Sequence, residues 1–177
     1  MILVVAATER ELAGADGAPT LVCGIGPVEA AAATAQALAV QTPGAVLHVG
    51  IAGARGLAAS QLVIGSEAVY EDAAGGALVR GRLEPDAALL ERARRALPDA
   101  HVLPIGTSAR VGGTSGCAVE AMEGFAVLRA AELAGIPAVE VRAVSNEIDE
   151  PDRAQWRFDD ALAALEHALP LLLAELR

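Results

Sequence analysis

The sequence is poor in aromatic side chains, which account for only 2% of its 177 residues. Hydrophobic residues nevertheless make up 54%, so the core has to be built from alanine, valine, leucine and isoleucine. Basic residues are scarce as well, since 13 of them face 23 acidic residues and leave a net charge of −10. Nucleic acids and anionic membranes both favour basic patches, so neither is an expected partner. The composition favours a small-molecule ligand.

Cysteine is nearly absent, and the two cysteines, Cys23 and Cys117, lie far apart in the sequence. They form no CxxC motif and have no paired histidines nearby, so we expect buried reduced thiols and no metal site. The opening segment Met1–Ala7 lacks a positively charged start and is soon followed by Glu9. It therefore predicts a buried strand and not a signal peptide. Together these features predict a cytoplasmic protein.

Apolar runs alternate with alanine-rich stretches along the whole chain, which is typical of an α/β domain with a mostly parallel sheet. We predict one domain over residues 1–177. Strands are predicted near 2–7, 20–24, 45–50, 62–70, 101–106 and 137–144, and helices near 9–14, 27–40, 86–97, 118–134 and 159–176. The uncharged stretch Ala30–Ala54 is long enough for a membrane span, but Gln41–Gly44 interrupts it with a turn. It predicts a helix, a turn and a strand.

A glycine pair, Gly24 and Gly26, follows a predicted strand and precedes a predicted helix. The third glycine of a dinucleotide fingerprint is replaced by Glu29, and no acidic residue occurs between Glu29 and Glu67 to hold a ribose of NAD. Walker, HExxH and GxSxG motifs are also missing from the sequence. The glycines therefore indicate a tight turn close to a ligand or to a neighbouring strand.

Three polar side chains stand at positions where chemistry is expected. Glu11 follows the first predicted strand, at the end of a strand where open α/β sheets bind ligands, although with Thr8 it also fits a helix capping box. Glu123 lies among apolar residues of a predicted helix, whereas most helix carboxylates are simply solvated. Asn146 ends a predicted strand, where a turn role is the commoner one. Only their combination points to function.

Four segments carry a family resemblance: Ala7–Glu11, His48–Gly53, Val119–Gly124 and Val141–Asn146. They resemble the successive motifs of the nucleoside phosphorylase/nucleosidase family, in the order in which that family has them. The resemblance implies a single-domain, three-layer α/β/α fold with a central, mostly parallel mixed sheet. It also implies an enzyme that needs no metal or organic cofactor, takes a small nucleoside substrate and forms a homo-oligomer.

The resemblance further implies roles for individual residues. Glu11 would activate the attacking water as general base, Glu123 would bind the ribose hydroxyls, and Asn146 would hold the departing base. Further substrate contacts are expected from Ala52, Gly53, Val111, Met122, Phe125 and Ser145. Phe125 is the nearest substitute for the ring that stacks on the base in relatives.

Asn146 and the glycine motif also bear on the substrates. Adenine-specific relatives have an aspartate at this place, and an amide instead matches a 6-oxopurine such as hypoxanthine. Phosphorylases bind phosphate with arginine and serine around the glycine motif, where this chain has His48 and Ile51. These residues favour hydrolysis of a hypoxanthine nucleoside, and the resemblance implies futalosine as the substrate. Purine nucleoside phosphorylase activity, methylthioadenosine/S-adenosylhomocysteine nucleosidase activity and a catalytically silent nucleoside-binding domain remain alternatives.

Some features depart from the family pattern or leave a choice open. Residues 112–116 replace a longer helix-containing segment of relatives, and His48 is expected to be structural. Trp156 and the acidic loop 147–152 either cover the pocket or form a solvated connection. Futalosine carries a benzoate, for which Arg110, Arg153 and Arg157 are equally suitable partners from the sequence alone.

Overall fold

The computed structural model describes residues 1–73, 75–112 and 116–176. In these ranges the strands are β1 Ile2–Ala6, β2 Thr20–Val22, β3 Ala45–Ala54, β4 Leu62–Tyr70, β5 Arg82–Leu83, β6 His101–Thr107, β7 Val119–Ala121 and β8 Ala138–Glu147. The α-helices are α1 Pro27–Val40, α2 Ala87–Ala96, α3 Gly124–Leu133 and α4 Phe158–Leu176. Among the described helices, none combines the length and hydropathy that a membrane crossing requires.

The strands form one mixed sheet, which curves until it closes on itself. β1 lies between β2 and β3, and these three strands are parallel. From β3 the pairing continues through β8, β4, β6 and β7 and then returns to β3. The pairs β3–β7, β4–β5 and β4–β8 are antiparallel, and the other pairs are parallel. The prediction of a mostly parallel mixed sheet is confirmed.

Helices cover both faces of the sheet and complete three layers. Alternate residues of β1 show how the core is divided, because successive strand side chains point to opposite faces. Val4 belongs to the core beneath α2 and α4, whereas Leu3 and Val5 belong to the core beneath α1 and α3. Both cores are almost entirely aliphatic, as the shortage of aromatic residues requires.

The predicted elements match the observed ones within a few residues, except in two places. The predicted helix 9–14 is only the short 3₁₀ turn Glu9–Leu12, and the region before Glu123 also differs. There the predicted helix 118–134 is wrong in its first part, since β7 occupies residues 119–121 and α3 begins only at Gly124. All three residues pair with β6, and Val119 and Glu120 also pair with β3, so long-range pairing overrides the local preference. The helix ends at Leu133, ahead of Gly135 with its left-handed φ of +69°. Of the shortened segment 112–116, residues 113–115 lie outside the described residues.

Candidate active site

A large cavity opens at the carboxyl ends of β1, β3 and β8. Its volume of about 510 Å³ is large enough for a nucleoside-sized ligand. The turns that follow β1 and β2 and the segment between β7 and α3 complete the wall. Most of the exposed wall surface is apolar, so the few carboxylates and the one amide in it stand out chemically.

Glu11 lies on the short turn Glu9–Leu12 directly after β1, and its carboxylate is buried in the cavity wall. Its Oε2 atom accepts hydrogen bonds from the Thr8 backbone N–H at 2.9 Å and from the Thr8 hydroxyl at 2.8 Å. Its Oε1 atom accepts from the backbone N–H of Ile51 at 3.0 Å. The predicted interaction with Thr8 therefore exists, and it places the same carboxylate at the cavity.

Glu123 occupies the position just before α3, so the prediction that a helix carries it is wrong. Its Oε1 atom accepts a hydrogen bond from the backbone N–H of Gly26 at 3.0 Å. Gly26 has a φ of +97°, a conformation that favours glycine. The glycine turn after β2 thus holds a carboxylate of the site. The other oxygen of Glu123 faces the guanidinium of Arg142 at 3.3 Å.

Arg142, on β8, places a fully buried guanidinium beneath the cavity. Its Nε donates to Oε1 of Glu140 at 2.7 Å, and its Nη2 lies 2.5 Å from Nε2 of His48 and 3.3 Å from Oε2 of Glu123. Burial opposes the charge, but the carboxylates of Glu140 and Glu123 outweigh it and raise the pKa of Arg142 above its ordinary value. One cation therefore links two strands to the residue that precedes α3.

His48 lies within β3 and is fully buried. Its Nδ1 is 3.0 Å from the carbonyl of Val5. Because arginine can only donate, Nε2 of His48 accepts from Arg142 and the proton is assigned to Nδ1, which donates to Val5. Burial and then the charge of Arg142 lower the pKa of His48 well below its ordinary value. This geometry agrees with a neutral, structural histidine.

Gly50 leaves the space in which the charged groups approach each other. It is the register partner of Arg142 in the β3–β8 pair. A Cβ atom on Gly50 would lie 2.2 Å from Nη1 of Arg142 and 2.9 Å from Oε1 of Glu11. Any larger residue here would displace either the guanidinium or the carboxylate.

Asn146, near the end of β8, presents its amide to the cavity. Its Nδ2 donates to the backbone carbonyl of Glu147 at 3.0 Å, and its Oδ1 lies 2.8 Å from the hydroxyl of Ser145. The carbonyl can only accept, so this contact fixes which end of the amide is the donor. Gly53 allows the close approach, since a Cβ atom there would lie 3.0 Å from Nδ2.

The structure brings most of the predicted site residues to this one cavity. Its wall contains the following of them: Glu11, Ala52, Gly53, Val111, Met122, Glu123, Ser145 and Asn146. Phe125 is the exception and corrects the prediction. Its ring stacks on Tyr70 with centroids 5.2 Å apart, in the core beneath α3. Because α3 begins at Gly124, residue 125 already points back into the core and not toward a base.

Another part of the cavity wall is formed by Arg153 and Trp156, whose roles the sequence leaves open. Trp156 lines the cavity, and its Nε1 donates to the carbonyl of Glu150 at 3.1 Å. The guanidinium of Arg153 lies 5.5 Å from the centre of the Trp156 ring. Both residues also line a neighbouring cavity of about 410 Å³, together with Val111 and Ile148. The site therefore continues past the tryptophan.

Sequence comparisons connect parts of the chain to known enzymes. A model of the Phosphorylase superfamily matches residues 106–176. Futalosine hydrolase from Streptomyces coelicolor is 54% identical over 54 residues, which cover 30% of this chain and 23% of that protein. Futalosine hydrolase from Thermus thermophilus is 45% identical over 60 residues, which cover 34% of this chain and 27% of that protein. The matched stretches thus span about a quarter of these curated relatives.

Solved structures extend the similarity to the whole fold. A 5′-methylthioadenosine/S-adenosylhomocysteine nucleosidase from Colwellia psychrerythraea, in complex with adenine, has a TM-score of 0.88 at 20% identity and covers 99% of this chain and 95% of its own. Futalosine hydrolase from Helicobacter pylori has a TM-score of 0.87 at 15% identity, with coverages of 98% and 97%. The chain therefore has the fold of these nucleosidases, and parts of its sequence are similar to futalosine hydrolases.

Proposed function

We propose that the protein is a nucleosidase that hydrolyses the N-glycosidic bond of a 6-oxopurine nucleoside, with futalosine as substrate and hypoxanthine and dehypoxanthinyl futalosine as products. The observation that carries the proposal is the meeting of Glu11, Glu123 and Asn146 in one cavity. The similarity to futalosine hydrolases supports the choice of substrate. In that case the reaction serves menaquinone biosynthesis.

The two carboxylates suit a sugar that becomes positively charged as the bond breaks. Glu123 keeps one hydrogen bond from Gly26 and a longer contact with Arg142, so its oxygens retain lone pairs that can accept from ribose hydroxyls. Glu11 is held by donors on both oxygens. It takes a proton from the attacking water as general base, and the water oxygen forms the new bond to the sugar carbon while the base leaves.

The amide of Asn146 suits a 6-oxopurine because its orientation is fixed. Nδ2 uses one hydrogen on the Glu147 carbonyl, which leaves its second hydrogen for an oxygen at position 6 of the base. Oδ1, next to the Ser145 hydroxyl, retains a lone pair for a protonated N7. A 6-amino group would instead face a donor, and such a mismatch costs about 1–3 kcal/mol.

Water suits this cavity better than phosphate as the second substrate. A phosphate dianion needs several charge-assisted donors. The β3 residues beside Glu11 are Ile51 and Ala52, whose side chains are apolar. His48, at a position where phosphorylases bind phosphate, is committed to Val5 and Arg142 inside the core.

Arg153 is the best placed of the three arginines for a substrate carboxylate. Arg110 faces Asp72 at 3.8 Å, and Arg157 pairs with Asp160. Arg153 lines both cavities and stacks near Trp156, so a carboxylate-bearing ring could meet a guanidinium and an aromatic face together.

Replacement of this arginine should affect binding of the anionic substrate selectively. Arg153→Met should raise KM for futalosine about 10- to 150-fold, because a hydrogen bond to a charged group contributes about 1.5–3 kcal/mol. KM for inosine, which has no carboxylate, should stay unchanged in the same steady-state assay. Arg110→Met is the matched control. Equal effects of both variants would remove Arg153 from the binding site.

We also propose that the enzyme acts in the cytoplasm as a homo-oligomer. Two apolar side chains support association, since Ile25 and Val28 are 61% and 74% exposed at the start of α1, and Ile25 also lines the cavity. A second subunit at this rim would cover both. Light scattering coupled to size-exclusion chromatography tests the association directly, and a monomer at micromolar concentration contradicts it.

The activity is tested by incubating the purified protein with futalosine, inosine and methylthioadenosine, each with and without phosphate. Free base is separated by chromatography and quantified. We expect hypoxanthine from futalosine without any need for phosphate. Strict dependence on phosphate would identify a phosphorylase, and release of adenine alone would identify an adenine-specific nucleosidase. Tight nucleoside binding without base release would indicate a silent binding domain.

A further inference from the structure

Glu140 is a buried carboxylate that does not line the cavity. It lies on β8 two residues before Arg142, so the two side chains project from the same face of the strand. Its Oε1 atom accepts from Nε of Arg142 at 2.7 Å. Its Oε2 atom has no hydrogen-bond partner among residues 1–73, 75–112 and 116–176. An unpartnered buried oxygen is costly, so a purely structural role accounts poorly for this carboxylate.

Glycines make room for Glu140 at the place where it meets the site. A Cβ atom on Gly124 would lie 2.2 Å and 2.3 Å from the two carboxylate oxygens. Gly124 directly follows Glu123 in the chain. On the other side, a Cβ atom on Gly65 of β4 would lie 3.5 Å from the Cβ of Glu140. The carboxylate therefore fills a space directly beneath the segment that presents Glu123 to the cavity.

The charge of Arg142 is shared between carboxylates inside and outside the site. The charged or titratable groups around Glu140 are Arg142 on its own strand, Glu123 ahead of α3, and His48, its register partner on β3. His48 is neutral, and Gly65, the β4 residue that approaches Glu140, carries no charge. Glu140 and Glu123 therefore compete for one guanidinium.

We propose that Glu140 is a positioning residue that acts on Glu123 through Arg142. By binding Nε and taking up part of the guanidinium charge, Glu140 fixes the arginine and leaves the electron density of Glu123 available to the ribose hydroxyls. The benefit is greatest when the sugar becomes cationic, because the carboxylate then meets a positive charge. The inference rests on the proposed nucleosidase activity.

The test is the pH dependence of turnover in wild type and in Glu140→Gln. With a neutral side chain at position 140, the guanidinium of Arg142 interacts more strongly with the carboxylate of Glu123. We expect kcat at pH 8 to fall about 10- to 100-fold, as when outer-shell partners of metal ligands are removed. KM should change little, because the ribose of the bound substrate is still uncharged.

The kcat ratio of wild type to Glu140→Gln should then fall toward one as the pH is lowered. Burial raises the pKa of Glu140 above its ordinary value, and Arg142 only partly offsets this. Acidification therefore protonates Glu140 in wild type and makes it resemble the variant. Glu140→Asp keeps the charge with a shorter reach, and we expect it to restore part of kcat and the pH-dependent ratio. It also serves as the test if Glu140→Gln does not fold.

Thr34→Val provides a matched control. Within the described part of the chain, the Thr34 hydroxyl is the other buried side-chain oxygen without a partner, and it lies on α1. Its removal should leave kcat and its pH profile unchanged. A kcat ratio for Glu140→Gln that stays constant as the pH is lowered from 8, or a loss that appears in KM while kcat is unchanged, would overturn the inference. A wild-type protein that releases no base would overturn the proposed function and the inference together.

Discussion

The two faces of β3 and β8 have opposite chemistry although they belong to the same strands. The face covered by α2 and α4 is aliphatic and consists of Leu47, Val49, Val139 and Val141. The opposite face buries a polar cluster of His48, Gly50, Glu140 and Arg142. Because side chains alternate along a strand, direct neighbours in the sequence serve different layers. One face stabilises the sheet, and the other positions charge beneath the cavity.

The largest effect on the polar side is expected at Glu11. Glu11→Gln keeps the shape of the side chain but removes the general base, so kcat should fall about 10²- to 10⁴-fold. The variant should still fold but with a lower melting temperature, because either the backbone N–H of Thr8 or that of Ile51 then faces an NH2 group and loses its acceptor. Glu9→Gln, on the exposed side of the same turn, is the control and should be fully active. Near-normal turnover of Glu11→Gln would leave this residue with its capping role alone.

The aliphatic face is tested at Leu47, which is fully buried beneath α4. Leu47→Ala should lower the free energy of unfolding by about 2–5 kcal/mol through lost burial and a cavity. Since this side chain points away from the charged cluster, kcat of the folded protein should remain within about twofold of wild type. Denaturant titration and a steady-state assay at low temperature measure the two quantities. A large loss of kcat in a folded variant would show that the faces are not independent.

Replacement of Asn146 tests how strictly the polar side selects between hypoxanthine and adenine. In Asn146→Asp an oxygen would face the carbonyl of Glu147, so the carboxyl group can keep this contact only when it is protonated. The donor to a 6-oxo group is then lost. We expect kcat/KM for hypoxanthine release to fall about 5- to 150-fold relative to adenine release, equivalent to about 1–3 kcal/mol. An unchanged ratio between the two bases would remove Asn146 from base selection.

The smallest effect is expected at His48, where the pH dependence of stability can be compared with that of a variant at the adjacent Leu47. Its pKa is lowered in the folded protein, so below about pH 6.5 the unfolded chain takes up a proton that the folded protein does not. Stability therefore decreases as the pH falls, until it reaches the folded pKa. The His48 contribution approaches a slope of about 1.4 kcal/mol per pH unit.

His48→Gln should lose this contribution, whereas Leu47→Ala should keep the pH dependence of wild type. Denaturant titrations at pH 7, 6 and 5 supply the slopes. If His48→Gln and wild type lose stability in parallel over this range, the imidazole is not held neutral by the polar face.

Much of this organisation follows from local sequence patterns. The alternation of apolar and alanine-rich segments places the long strands and helices, because each pattern reflects burial of that segment alone. The ends of β1 and β8 then place Glu11 and Asn146 at one edge of the sheet. The position of Glu123 is harder to predict from the sequence, because β7, which precedes it, forms only by pairing with two distant strands. Phe125 is expected in the site only as the nearest ring within the family-like motifs, and the sequence gives no sign that this ring packs on Tyr70.

The charged cluster could not be predicted for a different reason. Arg142 is a visible anomaly in an apolar strand, but apart from Glu140 on the same strand its partners come from β3 and from the turn before α3. The space that it needs is created by Gly50, nearly a hundred residues earlier in the chain. A glycine gives no local sign of which distant side chain it accommodates. Such information is present only once the strand register is known.

The closed course of the sheet has a consequence for motion around the site. Residues Val141–Ala143 are hydrogen-bonded to β3 on one side and to β4 on the other, so their amide hydrogens should exchange with solvent only when the whole sheet opens. The turn that carries Glu11 has far less backbone support and can open locally. We therefore expect local opening to reach the backbone around Glu11 more often than the strand that carries Arg142.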